Sequence, residues 1–344
     1  MAAHTTRPAL AKQAARKPAR YTTARGTPSV TLIGFGNWGT ALAFALFGAG
    51  IPIKEIVVRS ISKTATAQRR KISRSLGAKF TTLDRAALDA DVLWICTPDA
   101  NIAQTAVKVA AKLESANKRR TARQVVFHSS GAFASGELMA LKAVGAGIAS
   151  VHPLMSFPGI THGEALDSRV NPALADFPLA GVPFALQGET QACRVARRLV
   201  KMLHGAAFTL QERDKVLYHA FGAFTSPLLL ALLTAAAEAG AAAGLHKNEV
   251  RSLMEPIVAK TISNFFKSGP ERSFSGPLAR GDAGTVARHL LALHEHPALE
   301  AIYRQLSLYA VDTLPVDRRP TLRQMLRQPA RNAASPQRSG ASTA

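Results

Sequence analysis

Cysteine is scarce in this 344-residue chain: only Cys96 and Cys193 occur. Two thiols in apolar settings build no disulfide framework, and no paired Cys or His spacing exists for a zinc module. No metal site is expected, and a reduced, cytoplasmic compartment fits this usage. Acidic residues are also few, with 22 Asp and Glu against 43 Lys and Arg, for a formal net charge of +21. The start lacks the apolar core of a secretory signal, which excludes that class, while its Arg-rich, acid-free character leaves an organelle transit peptide open. One long uncharged stretch occurs, residues 220–237. It is Ala-rich and lies between His219 and Glu238, so a buried helix is expected rather than a membrane span.

What is present suits a globular chain. Hydrophobic residues make up 47%, an ordinary share for a protein with a core. The length suits about two domains. Much of the positive charge sits at the ends. Residues 1–28 carry Arg7, Lys12, Arg16, Lys17, Arg20 and Arg25 with no acid, and residues 316–344 carry six arginines against Asp317. Neither end shows an apolar period, so both are expected as disordered basic tails. Weak contact with nucleic acid is the sharper reading of that charge.

Between the tails, short apolar runs alternate with helical stretches. Val30–Ile33, Ile56–Val58, the run from Asp91 to Cys96, Gln124–Phe127 and Gly147–Val151 read as strands. Thr40–Phe47, Thr64–Leu76 and Ile102–Leu113 read as helices. Strands that are apolar throughout point to a mostly parallel sheet covered on both faces. Two further strands, Pro183–Leu186 and Ala207–Leu210, flank a helix at 190–203. From Asp214 the texture becomes helical, near 214–243, 247–268, 283–294 and 296–313, and no strand signal returns.

The first strand runs directly into Gly34-Phe35-Gly36-Asn37-Trp38-Gly39, a G-x-G-x-x-G pattern that opens a helix. That context marks a Rossmann dinucleotide site. Gly34 permits the tight turn, Gly36 lets a pyrophosphate approach the backbone, and Gly39 lets the helix pack on the sheet. The helix N-terminus offers free N–H groups to the phosphates. The second strand ends in Arg59, Ser60 and Lys63 with no acid for a ribose 2′-hydroxyl. These residues suit a 2′-phosphate, so NADP(H) is expected over NAD(H). Thr97-Pro98-Asp99 and Ser129-Ser130-Gly131 close later strands, where ligands bind in such sheets. Turn chemistry and helix capping are the structural alternative for both segments.

These segments, with His128-Ser129-Ser130-Gly131-Ala132, His152-Pro153-Leu154-Met155-Ser156-Phe157, Lys215-Val216-Leu217-Tyr218-His219 and Ser275-Gly276-Pro277-Leu278-Ala279-Arg280-Gly281-Asp282, resemble a known group. It is the bacterial Rossmann-like proteins whose C-terminal half is domain of unknown function 2520. The likeness spans roughly residues 29–312, and its plan is similar to pyrroline-5-carboxylate reductase, deazaflavin-dependent NADP reductases and 3-hydroxyacid dehydrogenases. The resemblance implies an α/β Rossmann domain with a doubly wound sheet, then an all-helical domain like the C-terminal part of 6-phosphogluconate dehydrogenase. It also implies an oxidoreductase and a homodimer formed through the helices. The expected layout is a tail over 1–28, the NADP-binding domain over 29–212, a helical substrate and dimerisation domain over 213–315, and a tail over 316–344. Two positions depart from the relatives. Lys215 is followed four residues later by His219 where hydroxyacid enzymes have Asn, and Ser226-Pro227 stands where Ser-Asn is common. The proline is expected to kink its helix.

Reduction of a C=O or C=N bond needs a proton donor beside the nicotinamide. Lys215 is the first candidate, with His219 one turn further on the same helix face and Tyr218 beside them. His152, at a strand end, is the second, though a structural histidine fits as well. His128 carries the same ambiguity. Arg280 suits a substrate carboxylate or phosphate, or an internal pair with Asp282. Three readings therefore stand: an NADP-linked oxidoreductase acting on a small molecule, a non-catalytic NADP-binding sensor or scaffold, and nucleic-acid binding through the tails.

Overall fold

The computed structural model describes residues 26–61, 71–115, 121, 123–157 and 179–328. The elements in the first part of the chain are β1 (Val30–Ile33), α1 (Asn37–Gly48), β2 (Ile53–Val58), β3 (Lys79–Thr82), β4 (Val92–Ile95), α2 (Ile102–Glu114), β5 (Val125–His128), α3 (Met139–Ala143), β6 (Gly147–Pro153), β7 (Pro183–Gly188), α4 (Thr190–Met202), β8 (Ala206–Thr209) and α5 (Lys215–Thr225). The strands form one sheet in the order β3-β2-β1-β4-β5-β6-β7-β8. All pairings are parallel except β6 with β7, where Val151 lies opposite Leu186. The chain order reverses between β1 and β4, and that reversal opens a crevice at their carboxyl ends.

Period-two alternation along the strands builds two cores. Leu32, Trp94, Phe127 and Val151 face one side, where Leu42 and Leu46 of α1 and Leu199 of α4 cover them. Ile33, Leu93, Ile95 and Val126 face the other, against Ile102, Ala106 and Val109 of α2 and Leu141. Each large aliphatic side chain so buried contributes about 1.5–3 kcal/mol. β3 was not foreseen: Lys79-Phe80-Thr81-Thr82 is an edge strand, half solvated, and lacks an apolar run. Of the helix expected at 64–76, residues 71–75 are helical and 62–70 lie outside the described residues.

The chain divides into two compact units between Ser226 and Pro227, so α5 belongs with the sheet rather than beyond a boundary at 212. The expected single helix over 214–243 breaks there. Ser226 leaves the helical region (φ −132°, ψ −82°), since the ring of the following proline disfavours helical geometry there. The second unit holds α6 (Pro227–Ala242), α7 (Lys247–Ser273), α8 (Ala283–Leu293), α9 (Pro297–Thr313) and α10 (Arg319–Arg327). α7 is broken at Gly269, where φ is 77°. Two expectations are corrected here. Residues 220–237 are not a buried helix: Phe221, Phe224, Leu228, Leu230 and Leu232 are exposed among the described residues. The stretch Glu212–Ala242 is long and apolar enough to cross a membrane (mean hydropathy 1.7), and within it only Lys215 and Ala235 are buried. Residues 319–327 are not a disordered tail but a helix. Leu322 and Leu326, one turn apart, join Val286, Leu290 and Val311 in a small core. Residues 1–25 and 329–344 lie outside the described residues.

Candidate active site

The crevice lies wholly within the first unit, at the carboxyl ends of β1, β2, β4, β5 and β6. It has a volume of about 900 Å³. Its floor is the turn from β1 into α1. Gly34 adopts φ +108°, and a side chain there would stand 2.7 Å from the Cys96 carbonyl oxygen. A Cβ on Gly39 would stand 2.4 Å from the Gly34 carbonyl oxygen. Both positions are closed by packing. Gly36 differs, since a Cβ there would meet nothing within 4 Å. Its backbone faces open space at the N-terminus of α1, whose first turn carries no acid. Free N–H groups and the positive end of the helix dipole therefore point into a cradle shaped for phosphate. Phe35 fixes the turn from below, its ring buried edge-on to Phe80 with centroids 6.4 Å apart.

Arg59 and Ser60 line the crevice from the end of β2, both exposed, while Lys63 lies outside the described residues. Thr97, Pro98, Asp99 and Ser129 line it from β4 and β5. The Thr97 Oγ1 is buried with no hydrogen-bond partner among the described residues, a hydroxyl left over for a ligand. A nicotinamide dinucleotide fits this donor set: a backbone cradle, a guanidinium and an unpaired hydroxyl.

Sequence reasoning missed one wall. Asn101, Gln104, Thr105 and Lys108 line the crevice from α2 and the turn before it. They recur at helical spacing opposite the buried stripe of Ile102, Ala106 and Val109, so the polar face was written in the sequence. Asp84, after β3, was invisible because β3 itself was not foreseen.

At the other end stands a cluster around Gly131. His152 lines the crevice, and its Nδ1 lies 2.8 Å from the Tyr218 hydroxyl. The rings of His152 and His219 are 6.1 Å apart. A Cβ on Gly131 would stand 2.6 Å from His219 Cδ2 and 2.8 Å from His152 Nε2, so glycine is required for both rings to close on this segment. Burial lowers the His152 pKa to about 4, reinforced by the nearby Lys215, His219 and His128, so the ring is uncharged at neutral pH. Burial likewise raises Tyr218 to about 12.

Lys215 lies beneath the same loop. It is 1% exposed, and its Nζ donates to Ser150 Oγ at 2.8 Å and the Ser130 carbonyl at 3.1 Å. Burial lowers its pKa to about 8, against an opposing pull from Asp99. It is not among the residues lining the crevice. Ser130 ties the layer together, donating to Asp99 Oδ2 at 2.7 Å and accepting from the N–H groups of Ala132 and Phe133. His128 is structural. Its Nδ1 accepts from the Ser130 N–H and its Nε2 donates to the Ala134 carbonyl, with the pKa lowered by burial to about 4.

Arg280 lies in the second unit and is exposed. Its neighbours are structural. Gly281 has φ +66° with a Cβ position 2.5 Å from the Asp317 carbonyl oxygen, and Asp282 caps α8 by accepting from the Thr285 N–H at 3.0 Å. Among the described residues, no three His, Cys, Asp or Glu side chains gather as a metal site would require.

Comparison with known proteins agrees with this architecture. The chain carries a Rossmann-like domain over residues 16–153 and the domain of unknown function DUF2520 over residues 182–310. No curated protein matches it. Among solved structures, a Bacteroides fragilis protein provisionally named an NADP oxidoreductase is 19% identical, with a TM-score of 0.62 over 81% of this chain and 96% of its own. An imine reductase from a Pseudomonas species is 16% identical, with a TM-score of 0.56 over 87% of this chain and 100% of its own. A Plasmodium falciparum pyrroline carboxylate reductase, with NADP bound, is 14% identical, with a TM-score of 0.51 over 87% of this chain and 98% of its own. At these identities the likeness is one of fold.

Proposed function

We propose that this Rossmann-like, DUF2520-bearing chain is an NADP(H)-dependent oxidoreductase acting on a C=O or C=N bond of a small molecule. One observation carries the reading: a single crevice joins the open backbone at Gly36 to the uncharged His152, whose Nδ1 Tyr218 engages. The names of the structural neighbours, an NADP-bound pyrroline carboxylate reductase and an imine reductase among them, favour the same chemistry. The nicotinamide, when bound, supplies or accepts the hydride.

The chain's own groups do the rest. The turn Gly34–Trp38 and the first N–H groups of α1 hold the pyrophosphate. Arg59 and Ser60 hold the 2′-phosphate, the guanidinium matching its geometry. His152 handles the proton. Tyr218 engages Nδ1, so a proton that leaves the neutral ring at Nε2 for a substrate heteroatom is replaced by the Tyr218 hydroxyl proton at Nδ1, and the transfers run in reverse when the ring takes one. Lys215, whose sequence position suggested the acid/base role, acts here as a positioning residue: its amine braces Ser130 and Ser150, and its charge helps keep His152 neutral. His219 packs beside His152 over Gly131 at the edge of this cluster.

The exposed faces of α6 and α7, with Leu230, Leu253, Ile257 and Phe266 at 50% exposure or more, are assigned to a second copy of the chain in a homodimer. The two free cysteines keep a cytoplasmic placement as the favoured one.

The test is a fluorescence titration with NADPH and NADH, followed by turnover of cyclic imines and small ketones. NADPH is expected to bind at least tenfold tighter, and Arg59→Asp to abolish that preference. His152→Ala is expected to lower kcat by about 10²-fold or more. Equal affinity for both cofactors contradicts the NADP assignment. Tight NADPH binding with no turnover of any carbonyl or imine favours a sensor over an enzyme.

A further inference from the structure

The chain has only two tryptophans, and both donate to one hydroxyl. Trp38 Nε1 lies 2.7 Å and Trp94 Nε1 2.8 Å from Ser129 Oγ. Trp38 stands in the first turn of α1, Trp94 is fully buried on β4, and Ser129 directly follows the neighbouring strand β5. The indoles are held edge to face, 6.3 Å apart, and Phe157 packs on Trp38 at 4.8 Å. A serine hydroxyl has two acceptor lone pairs and one donor proton, whereas an indole nitrogen can only donate. Two indoles therefore occupy both lone pairs of Ser129. Its proton has no acceptor among the described residues, and Ser129 is half-buried on the wall of the crevice.

We infer that the Trp38–Trp94 pair makes Ser129 a donor-only hydroxyl that binds the carboxamide oxygen of the nicotinamide and so selects and orients that ring. The inference rests on the cofactor reading above. A free serine hydroxyl rotates between donor and acceptor roles and discriminates weakly between ligand groups. Here rotation is blocked, because turning the proton inward would aim it at an indole N–H. The site accordingly takes an acceptor and rejects a donor. The carboxamide oxygen is the acceptor that a dinucleotide reaching from Gly36 brings to this end of the crevice, where His152 also stands. Ser129 touches the cofactor in this scheme and carries no proton in the reaction.

The experiment is a calorimetric titration of the full chain with three probes: NADPH, reduced thionicotinamide adenine dinucleotide phosphate, whose sulfur is a poor acceptor, and adenosine 2′,5′-bisphosphate, which lacks the ring. Wild type is expected to prefer NADPH over the thio analogue. Ser129→Ala is expected to weaken NADPH by about three- to tenfold, the worth of one neutral hydrogen bond, and to leave the other two within twofold. Trp38→Phe keeps the serine but frees a lone pair, and it is expected to shrink the NADPH preference while retaining bisphosphate affinity. It serves as the second variant where Ser129→Ala, which strands a buried indole N–H, fails to fold. Equal weakening of all three probes assigns Ser129 a structural role and overturns the inference, as does unchanged NADPH affinity in both variants. Failure of wild type to bind NADPH at all overturns the cofactor reading itself.

Discussion

The two compact units of this chain treat apolar surface in opposite ways. In the first, strand residues alternate between two cores, and Trp94, Phe127 and Leu93 are completely buried. In the second, the long helices α6 and α7 bury only Ala235 and Val250 between them while presenting rows of leucine, isoleucine and phenylalanine outward. Both units have apolar composition, so composition alone does not tell a core from an interface. What distinguishes them is whether a second element among the described residues supplies the facing layer.

The largest expected effect falls on the first unit. Phe127→Ala removes a fully buried ring packed against Trp94 and is expected to cost about 3–5 kcal/mol in denaturant unfolding. A loss below about 1 kcal/mol would show that the two cores collapse around cavities and are not the rigid support described. Next in size is acid sensitivity. His128 has a folded-state pKa of about 4 against an ordinary value of 6.5. Between those values the unfolded chain takes up a proton that the folded chain refuses, so stability falls as pH drops from 6.5 to 4, by up to about 3 kcal/mol for this residue. Denaturant midpoints across that range should fall in wild type and fall less steeply in His128→Asn. The smallest effect on the protomer belongs to the second unit. Phe266 is 80% exposed, and Phe266→Ala is expected to shift single-chain stability by less than about 0.5 kcal/mol. Under the homodimer proposed above, it should nonetheless raise the dimer dissociation constant measured by light scattering. A folding loss comparable to that of Phe127→Ala would erase the contrast between the units.

Legibility followed the same division. Strands buried on both faces announced themselves as apolar runs, whereas the edge strand β3, with Lys79, Thr81 and Thr82, did not. The glycine turn was readable because its three glycines have three separate reasons, and the structure separates them: a positive φ at Gly34, close packing at Gly39 and open space at Gly36. α10 was hidden because its arginines, Arg319, Arg323 and Arg327, masked Leu322 and Leu326 one turn apart. The site's long-range partnerships were not readable at all. Tyr218 and His152 are 66 positions apart, and Trp38 and Ser129 are 91 apart. Only the strand order brings each pair together, and a local pattern carries no record of strand order. Lys215 shows the same limit: its helical spacing to His219 was plain, but its burial depends on where β5 and β6 end.

The central claim is that the crevice at Gly36 holds a dinucleotide, and Gly36 itself offers the most direct test. Its φ of −85° suits any residue, and a Cβ there meets nothing within 4 Å, so Gly36→Val should fold and melt like wild type. The measurement is NADPH affinity by fluorescence titration for wild type and Gly36→Val side by side. Submillimolar binding by wild type, lost at least tenfold in a variant with an unchanged melting temperature, is the predicted result. Equal NADPH affinity in the two proteins would contradict the account, because the branched side chain would then occupy space that the cofactor does not use.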